Sequence, residues 1–421
     1  MIFVCEPQCR GISHEKVNSG FLTLARRAFP DDVLRLYADP THRRALEEIL
    51  VRDGVTIDRV EHRAIVLDDA LSVRGALAYY RLFKRMFAEA VAEGVERVLF
   101  LSSSPVLLHV LKRLRSNPAF AKIRIAFVLH ADFEDIANDT FQAVAATAVH
   151  EPTILEKLRM IRIAELPGKV AGLVGRRISE RYASLWQTRF REREQLEWRH
   201  DDRLAYIALA PHVRTNASKY IDVQALNVHT VEMPINFAAP RSAPRNAHLK
   251  LATFGYGDPA ALRRVVDALD RLMPSKPYEI RIIGMDNRGL ESHPRVVCPS
   301  PNKPLSRAEM ERHAEDIDAF LILYDRNRYR LSCSGAIFEA LSYVKPVLHI
   351  GNPCITPFDP PDAPIGFSTE TLEELARLVA PMIDDYPAAQ RAFAARRENI
   401  MRLRTRLGMD ALATKLRAAF V

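Results

Sequence analysis

The feature that most constrains this chain is an alternation running from end to end. Short apolar runs are each followed by a stretch with apolar residues at helical spacing. Ile2–Cys5, Val33–Tyr37, Arg63–Leu67, Val98–Leu101, Ile123–Leu129, Ala205–Ala210 and Thr230–Met233 read as strands in the first half. Lys250–Phe254, Glu279–Ile283, Val296–Cys298, Ala319–Tyr324 and Val347–Ile350 read as strands in the second. Helical patterns at Ser72–Glu93, Val106–Arg115, Pro259–Leu272, Ser306–Asp316, Ala336–Tyr343 and Thr369–Ile383 separate them. A helix between two neighbouring strands returns the chain parallel to itself, so the expected class is α/β with mostly parallel sheets.

A chain of 421 residues is long for one core, so two domains are expected. The stretch from Asn236 to His248 holds Pro240 and Pro244, lacks apolar periodicity and sits between two strands. The sequence therefore divides into a first Rossmann-like domain at 1–235, a linker at 236–248, a second such domain at 249–386 and a basic helical tail at 387–421. The tail is long enough to leave the second domain and cross back to the first.

Hydrophobic residues make up 48% and charged residues 27%, the balance of an ordinary globular protein. No run approaches the roughly 18 apolar residues of a membrane span. The first residues read as a strand, not as a signal peptide. Five scattered cysteines read as reduced thiols in a cytoplasmic protein. Cys5 and Cys9 are spaced like metal ligands, but no second Cys/His pair accompanies them, so no metal and no cofactor are expected.

The net charge of +8 is concentrated: residues 155–200 carry +5 and residues 391–421 carry +6, which leaves 8 − 5 − 6 = −3 for the rest. Trp186 and Trp198 lie in the first of these segments, with Arg177, Arg181 and Arg189 nearby. Tryptophan beside arginine suits a helix lying peripherally on an anionic membrane surface. It equally suits a helical excursion packed on the first domain with its charges solvated. No nucleic-acid motif is present, and nucleic acid is not an expected partner.

Chemistry concentrates at Ser332-Cys333-Ser334-Gly335-Ala336-Ile337-Phe338-Glu339-Ala340-Leu341, followed by Lys345-Pro346-Val347. A small polar turn here opens a helix whose first N–H groups can hold an anion. Glu339, one turn inside, can accept two ribose hydroxyls, or can simply favour the helix dipole. Gly255 and Gly257 flank Tyr256 after a strand, where a backbone can approach a diphosphate or merely turn. Arg326, Arg328 and Arg330 put charge on one side of an extended segment, to grip a diphosphate or to face solvent.

Taken together, these segments resemble the GT-B glycosyltransferases, of the family 4 and family 1 kind. Leu251 to Gly257 resembles their opening strand and glycine loop, Tyr278 to Gly284 the next strand, and Ser334-Gly335 through Lys345-Pro346-Val347 the donor signature. Two departures stand out. Leu331 occupies the place, eight before Glu339, where family 4 members carry a glutamate, and Val344 replaces the glycine before Lys-Pro-Val.

The resemblance implies two domains facing across a cleft. It implies a nucleotide sugar on the second domain, held by Gly255, Tyr256, Gly257, Arg326, Arg328, Arg330, Ser334, Gly335 and Glu339. It also implies a glycan or lipid-linked acceptor on the first domain, in polysaccharide or glycoconjugate synthesis, commonly without a tightly bound metal. A loop holding Arg10, Gly11, His14, Asn18 and Gly20 follows the first strand, and His130 and Asp132 end another. His14 and His130 are candidate bases for an acceptor hydroxyl, with Asn18 and Asp132 on the acceptor side. His212 and Asn216 are weaker candidates nearer the boundary. Capping or plain exposure competes for each histidine. Two other functions remain open: a GT-B-like protein that binds nucleotide or glycan without catalysis, and a nucleotide-sugar epimerase.

Overall fold

The computed structural model describes residues 1–65, 73–134, 136–137, 192–237, 239–240, 244, 246–255, 257–284, 289–300 and 305–421. Two parallel sheets organise them. The first joins β1 (Ile2–Glu6), β2 (Leu34–Ala38), β3 (Val60–Ala64), β4 (Arg97–Phe100), β5 (Arg124–Leu129), β6 (Leu204–Ala208) and β7 (Val228–Thr230) in the order β3-β2-β1-β4-β5-β6-β7. Its helices are α1 (Glu15–Ala28), α2 (Pro40–Arg52), α3 (Val73–Ala92), α4 (Pro105–Arg115), α5 (Glu192–Glu197) and α6 (Pro211–Ala217). Strands β1, β2 and β6 are buried at every position and are apolar throughout except for Glu6, which ends β1, and Arg35 in β2.

The second sheet joins β8 (Leu249–Phe254), β9 (Tyr278–Ile283), β10 (Val296–Val297), β11 (Ala319–Ile322), β12 (Val347–Ile350) and β13 (Gly366–Thr369) in the order β10-β9-β8-β11-β12-β13. It carries α7 (Pro259–Leu272), α8 (Arg307–Glu315), α9 (Gly335–Ser342) and α10 (Leu372–Asp384). In each sheet the strand order reverses once, between β1 and β4 and between β8 and β11. Above the carboxyl ends at such a reversal, neighbouring loops part and leave a crevice.

Two further helices, α11 (Tyr386–Arg406) and α12 (Met409–Ala418), form the tail. Phe393 of α11 packs edge-on to Phe367 of β13, and α12 then lies along α1. Phe420 meets Phe29, Lys415 Nζ donates to Glu232 at 2.6 Å, and Arg417 reaches the carbonyl of Ala28. The chain thus crosses back to the first sheet, as its length predicts.

Several boundaries differ from the sequence expectation. β3 precedes the expected Arg63–Leu67, and residues 66–67 lie outside the described residues. β7 ends at Thr230, although Val231 and Met233 still donate to Ala208 and Leu209. β13 is a strand that helical periodicity concealed, so α10 starts at Leu372 and not Thr369. Gly366 makes this pairing possible, since a Cβ there would lie 2.2 Å from the Val347 carbonyl oxygen. The loop expected through Gly20 ends at His14, and Asn18 and Gly20 are helical.

Candidate functional site

The crevice of the first sheet is built around a buried acid that the sequence reading missed. Glu6 ends β1 and is 1% exposed. Its carboxylate accepts the backbone N–H groups of Gln8 (2.8 Å) and Cys9 (2.9 Å), the Ser102 hydroxyl (2.6 Å) and the Asn18 amide (3.0 Å). Asn18 also donates to His42 Nε2 (3.0 Å), while His42 Nδ1 donates to the Gly11 carbonyl (2.8 Å). This network folds residues 7–14 back over the sheet. Asn18, expected on the acceptor side, is fully buried inside the clamp and positions the loop from beneath.

At the end of that loop His14 takes a left-handed φ of 54° and starts α1 without a side-chain cap. Its ring meets the edge of His130 with centroids 4.5 Å apart. His130 Nε2 donates to the Leu101 carbonyl at 2.8 Å, which leaves Nδ1 as an acceptor. Burial, and then the neighbouring His14, push the His130 pKa down to about 4; burial also lowers that of His14. Both rings are therefore neutral near pH 7. His14 is the more exposed of the two rings. The two histidines line a cavity of about 340 Å³ together with Ser102, Ser104 and Asp132. Sequence reasoning chose both histidines and Asp132 because each follows a strand end, and all three converge here.

On the second sheet, Gly255 has a φ of 68° and donates to the Ile283 carbonyl; a Cβ there would meet nothing within 4 Å. Tyr256 lies outside the described residues. Ser334 caps α9 by position only, because its hydroxyl is 2.9 Å from the Tyr324 hydroxyl. A Cβ on Gly335 would also enter open space, so the first turn of α9 presents backbone N–H groups to an unfilled approach. Arg328 lies over the rings of Tyr324 and Tyr329, 5.4 Å from each centroid, and contacts the Gly257 carbonyl. Arg326 turns away to pair with Glu370 on the surface. The Arg330 carbonyl accepts from the Asn216 amide.

Glu339 departs from its expected setting. Its carboxylate is already held: Arg307 forks onto it at 2.8 and 2.9 Å, and Lys16 of α1 reaches it at 2.7 Å. Burial alone would raise its pKa, but Lys16 and Arg307 outweigh burial and bring it down to about 2. The group is a permanent anion that ties the two halves together. Lys345 of the Lys-Pro-Val signature is equally structural, donating to the carbonyls of Glu315 and Ile317 at the end of α8. Val344 adopts the φ of 53° that suits the glycine of the related signature.

The crevices meet at the segment before α9. Glu134, two residues beyond Asp132, accepts the Leu331 N–H (2.9 Å) and the Ser332 hydroxyl (3.0 Å). His212 Nε2 donates to the Ser332 and Tyr329 carbonyls, and Asn216 to that of Arg330. Leu331 is 3% exposed, so a carboxylate from the other half bonds the backbone at this position. Sequence gave no signal for Glu134, Lys16 or Arg307, whose partners are distant in the chain.

No family model and no curated protein matches this chain. Solved structures do. A Staphylococcus aureus TarM mutant in complex with fondaparinux, α-GlcNAc-glycerol and UDP superposes with a TM-score of 0.57 at 10% identity, covering 100% of this chain and 99% of that one. Anabaena HepE in complex with UDP and glucose gives 0.53 at 14% identity, covering 99% and 98%. A glycosyltransferase from Rickettsia africae gives 0.57 at 10%, covering 99% and 96%. The fold is GT-B. The described residues bring no three His, Cys, Asp or Glu side chains together as a metal site. No described helix is long and apolar enough to cross a membrane.

Trp198 does not stand free as a membrane anchor would. It stacks on His109 at 4.4 Å, and the Arg199 guanidinium also lies over its ring. Trp186 lies outside the described residues. Several tail cations are also spent internally: Arg396 on the Gly366 carbonyl, Arg404 over Phe237, and Lys415 and Arg417 as above.

Proposed function

We propose that this protein is a glycosyltransferase that moves a sugar from a nucleotide-diphosphate donor to a glycan or lipid-linked acceptor, in polysaccharide or glycoconjugate synthesis in the cytoplasm. The observation that carries this reading is the open first turn of α9, with the segment before it bonded to Glu134, two residues beyond the Asp132 that lines the histidine cavity. The helix N-terminus and the arginines would take the charge of a departing diphosphate, the role a metal ion plays elsewhere. His14 would accept the proton of the attacking hydroxyl at its free ring nitrogen, with Glu6 fixing the loop that aims it. The GT-B neighbours solved with UDP make a uridine donor the first to try. Calorimetry with UDP, GDP and ADP, and with their sugar conjugates, tests the donor. Millimolar or weaker binding by all of them would remove the reading.

A second reading, a non-catalytic binding protein, is favoured by one observation: Lys16 and Arg307 already occupy Glu339. Nucleotide binding without turnover on any acceptor would select it. Peripheral contact with an anionic membrane is proposed only on the +5 charge of residues 155–200, and co-sedimentation with anionic against neutral vesicles checks it.

A further inference from the structure

The loop that carries His14 has little packing at its tip. Ile12 is 76% exposed, and Ser13 beside it is exposed as well. Gly11 and His14 nevertheless both hold left-handed φ values, 52° and 54°. That conformation is strained for a residue with a Cβ, and it persists where the surroundings over-determine it.

The contacts that do so come from the first turn of α2. Gly11 is held by both of its backbone polar groups. Its N–H donates to Thr41 Oγ1 at 3.0 Å, and its carbonyl accepts from His42 Nδ1 at 2.8 Å. Each partner is itself fixed. The Thr41 hydroxyl donates to Asp39, the cap of α2, which also accepts the Thr41 N–H at 2.7 Å. That hydroxyl therefore gives its own proton to one side and takes the Gly11 N–H from the other.

His42 is fully buried. Its Nδ1 proton is committed to a carbonyl, so Nε2 of the neutral ring accepts, and the Asn18 amide supplies that proton at 3.0 Å. The second Asn18 amide proton goes to Glu6 at 3.0 Å. Two chains of hydrogen bonds, Asp39–Thr41 and Glu6–Asn18–His42, thus converge on Gly11, and each bond in such a chain polarises the next. Asn18 also donates its backbone N–H to the His14 carbonyl at 2.9 Å, and the Ser13 N–H closes back on Arg10 at 3.2 Å. His14 is pinned from both sides along the chain. Neither Thr41 nor His42 lines the histidine cavity, so a substrate there would touch neither.

We propose that Thr41 and His42 are positioning residues for His14: by holding Gly11 at its N–H and its carbonyl, they keep the His14 ring against His130. The use of that placement in transfer rests on the reading of His14 as the base; the placement itself does not.

The test compares wild type with Thr41→Val, Thr41→Ser and His42→Phe. Imidazole NMR follows the histidine titrations, and the signal lost in His14→Ala identifies His14. In Thr41→Val and His42→Phe the His14 ring should titrate closer to the ordinary 6.5 than in wild type, because it leaves its buried setting. Thr41→Ser keeps the hydroxyl and should titrate as wild type. Thr41 is exposed, so Thr41→Val keeps the test open should His42→Phe fail to fold. Turnover is read as release of UDP, GDP or ADP from their sugar conjugates, with water or added glycans as acceptor. Thr41→Val and His42→Phe should lose about tenfold or more in kcat, with donor KM within about twofold of wild type. An unmoved His14 titration in the folded variants would overturn the positioning. A moved titration with full kcat would overturn its link to transfer. A moved titration in a protein that binds none of the three nucleotides would sustain the positioning and remove the donor reading.

Discussion

At the scale of single residues, the buried acids and the neutral histidines decide behaviour. Glu339 stabilises the fold as an anion. Its pKa in the folded chain, about 2, lies below the ordinary 4.5 of an unfolded glutamate. Its contribution is therefore complete above pH 4.5 and is lost as pH falls toward 2. Denaturant titrations at descending pH should show wild type losing stability across that window, and Glu339→Gln losing less there. At neutral pH Glu339→Gln should be less stable than wild type by about 3 kcal/mol, because Lys16 and Arg307 are left buried without their anion. His14→Ala should lose turnover about 100-fold while nucleotide binding is retained. Since burial lowers the His14 pKa below the ordinary 6.5, the acid limb of kcat/KM should fall below pH 6.5. Full turnover in His14→Ala would reject it as the base. The histidines were legible in the sequence because a strand end followed by a polar loop is a local pattern. The clamp of Glu6, Asn18 and His42 was not, since nothing local marks Glu6 as buried.

At the scale of elements, two glycines carry opposite expectations. Gly20 sits mid-helix in α1, where a Cβ would lie 2.0 Å from the Pro234 carbonyl oxygen. Backbone cannot yield as a side chain does, so Gly20→Ala should destabilise by about 1–3 kcal/mol despite the better helix propensity of alanine. The shift should also move His14 and Lys16 at the start of the same helix. Gly335 faces open space, so Gly335→Ala should leave the melting temperature nearly unchanged. It should nevertheless weaken nucleoside diphosphate binding, if a phosphate approaches the first turn of α9 there. A thermal melt and a calorimetric titration on the same two variants separate these outcomes. The missed strand β13 belongs to this scale as well: Gly366-Phe367-Ser368-Thr369 has no strand-like alternation of its own, and its pairing is licensed by β12 beside it.

At the scale of the whole molecule, the tail is a further tie between the halves. Leu412, Leu416 and Phe420 are buried against the first half after the chain has left the second sheet. Each such side chain is worth about 1.5–3 kcal/mol, so removing residues 409–421 should cost roughly 5 kcal/mol. That is a large fraction of the 5–15 kcal/mol that holds a typical domain. A truncated chain that melts at the wild-type temperature would show that the crossing adds little. The sequence by itself determined the strand and helix alternation, the place of most strands, the crossing tail, and the glycine and histidine positions at the strand ends. These follow from local periodicity and turn chemistry, which neighbouring residues carry. Only the tertiary structure decided that Glu339 is already occupied, that Glu134 bonds the backbone at Leu331, and that Trp198 is stacked. The reason is physical: Lys16 and Glu339 stand 323 residues apart, and a charge pair over that distance leaves no pattern along the chain until two sheets bring it together.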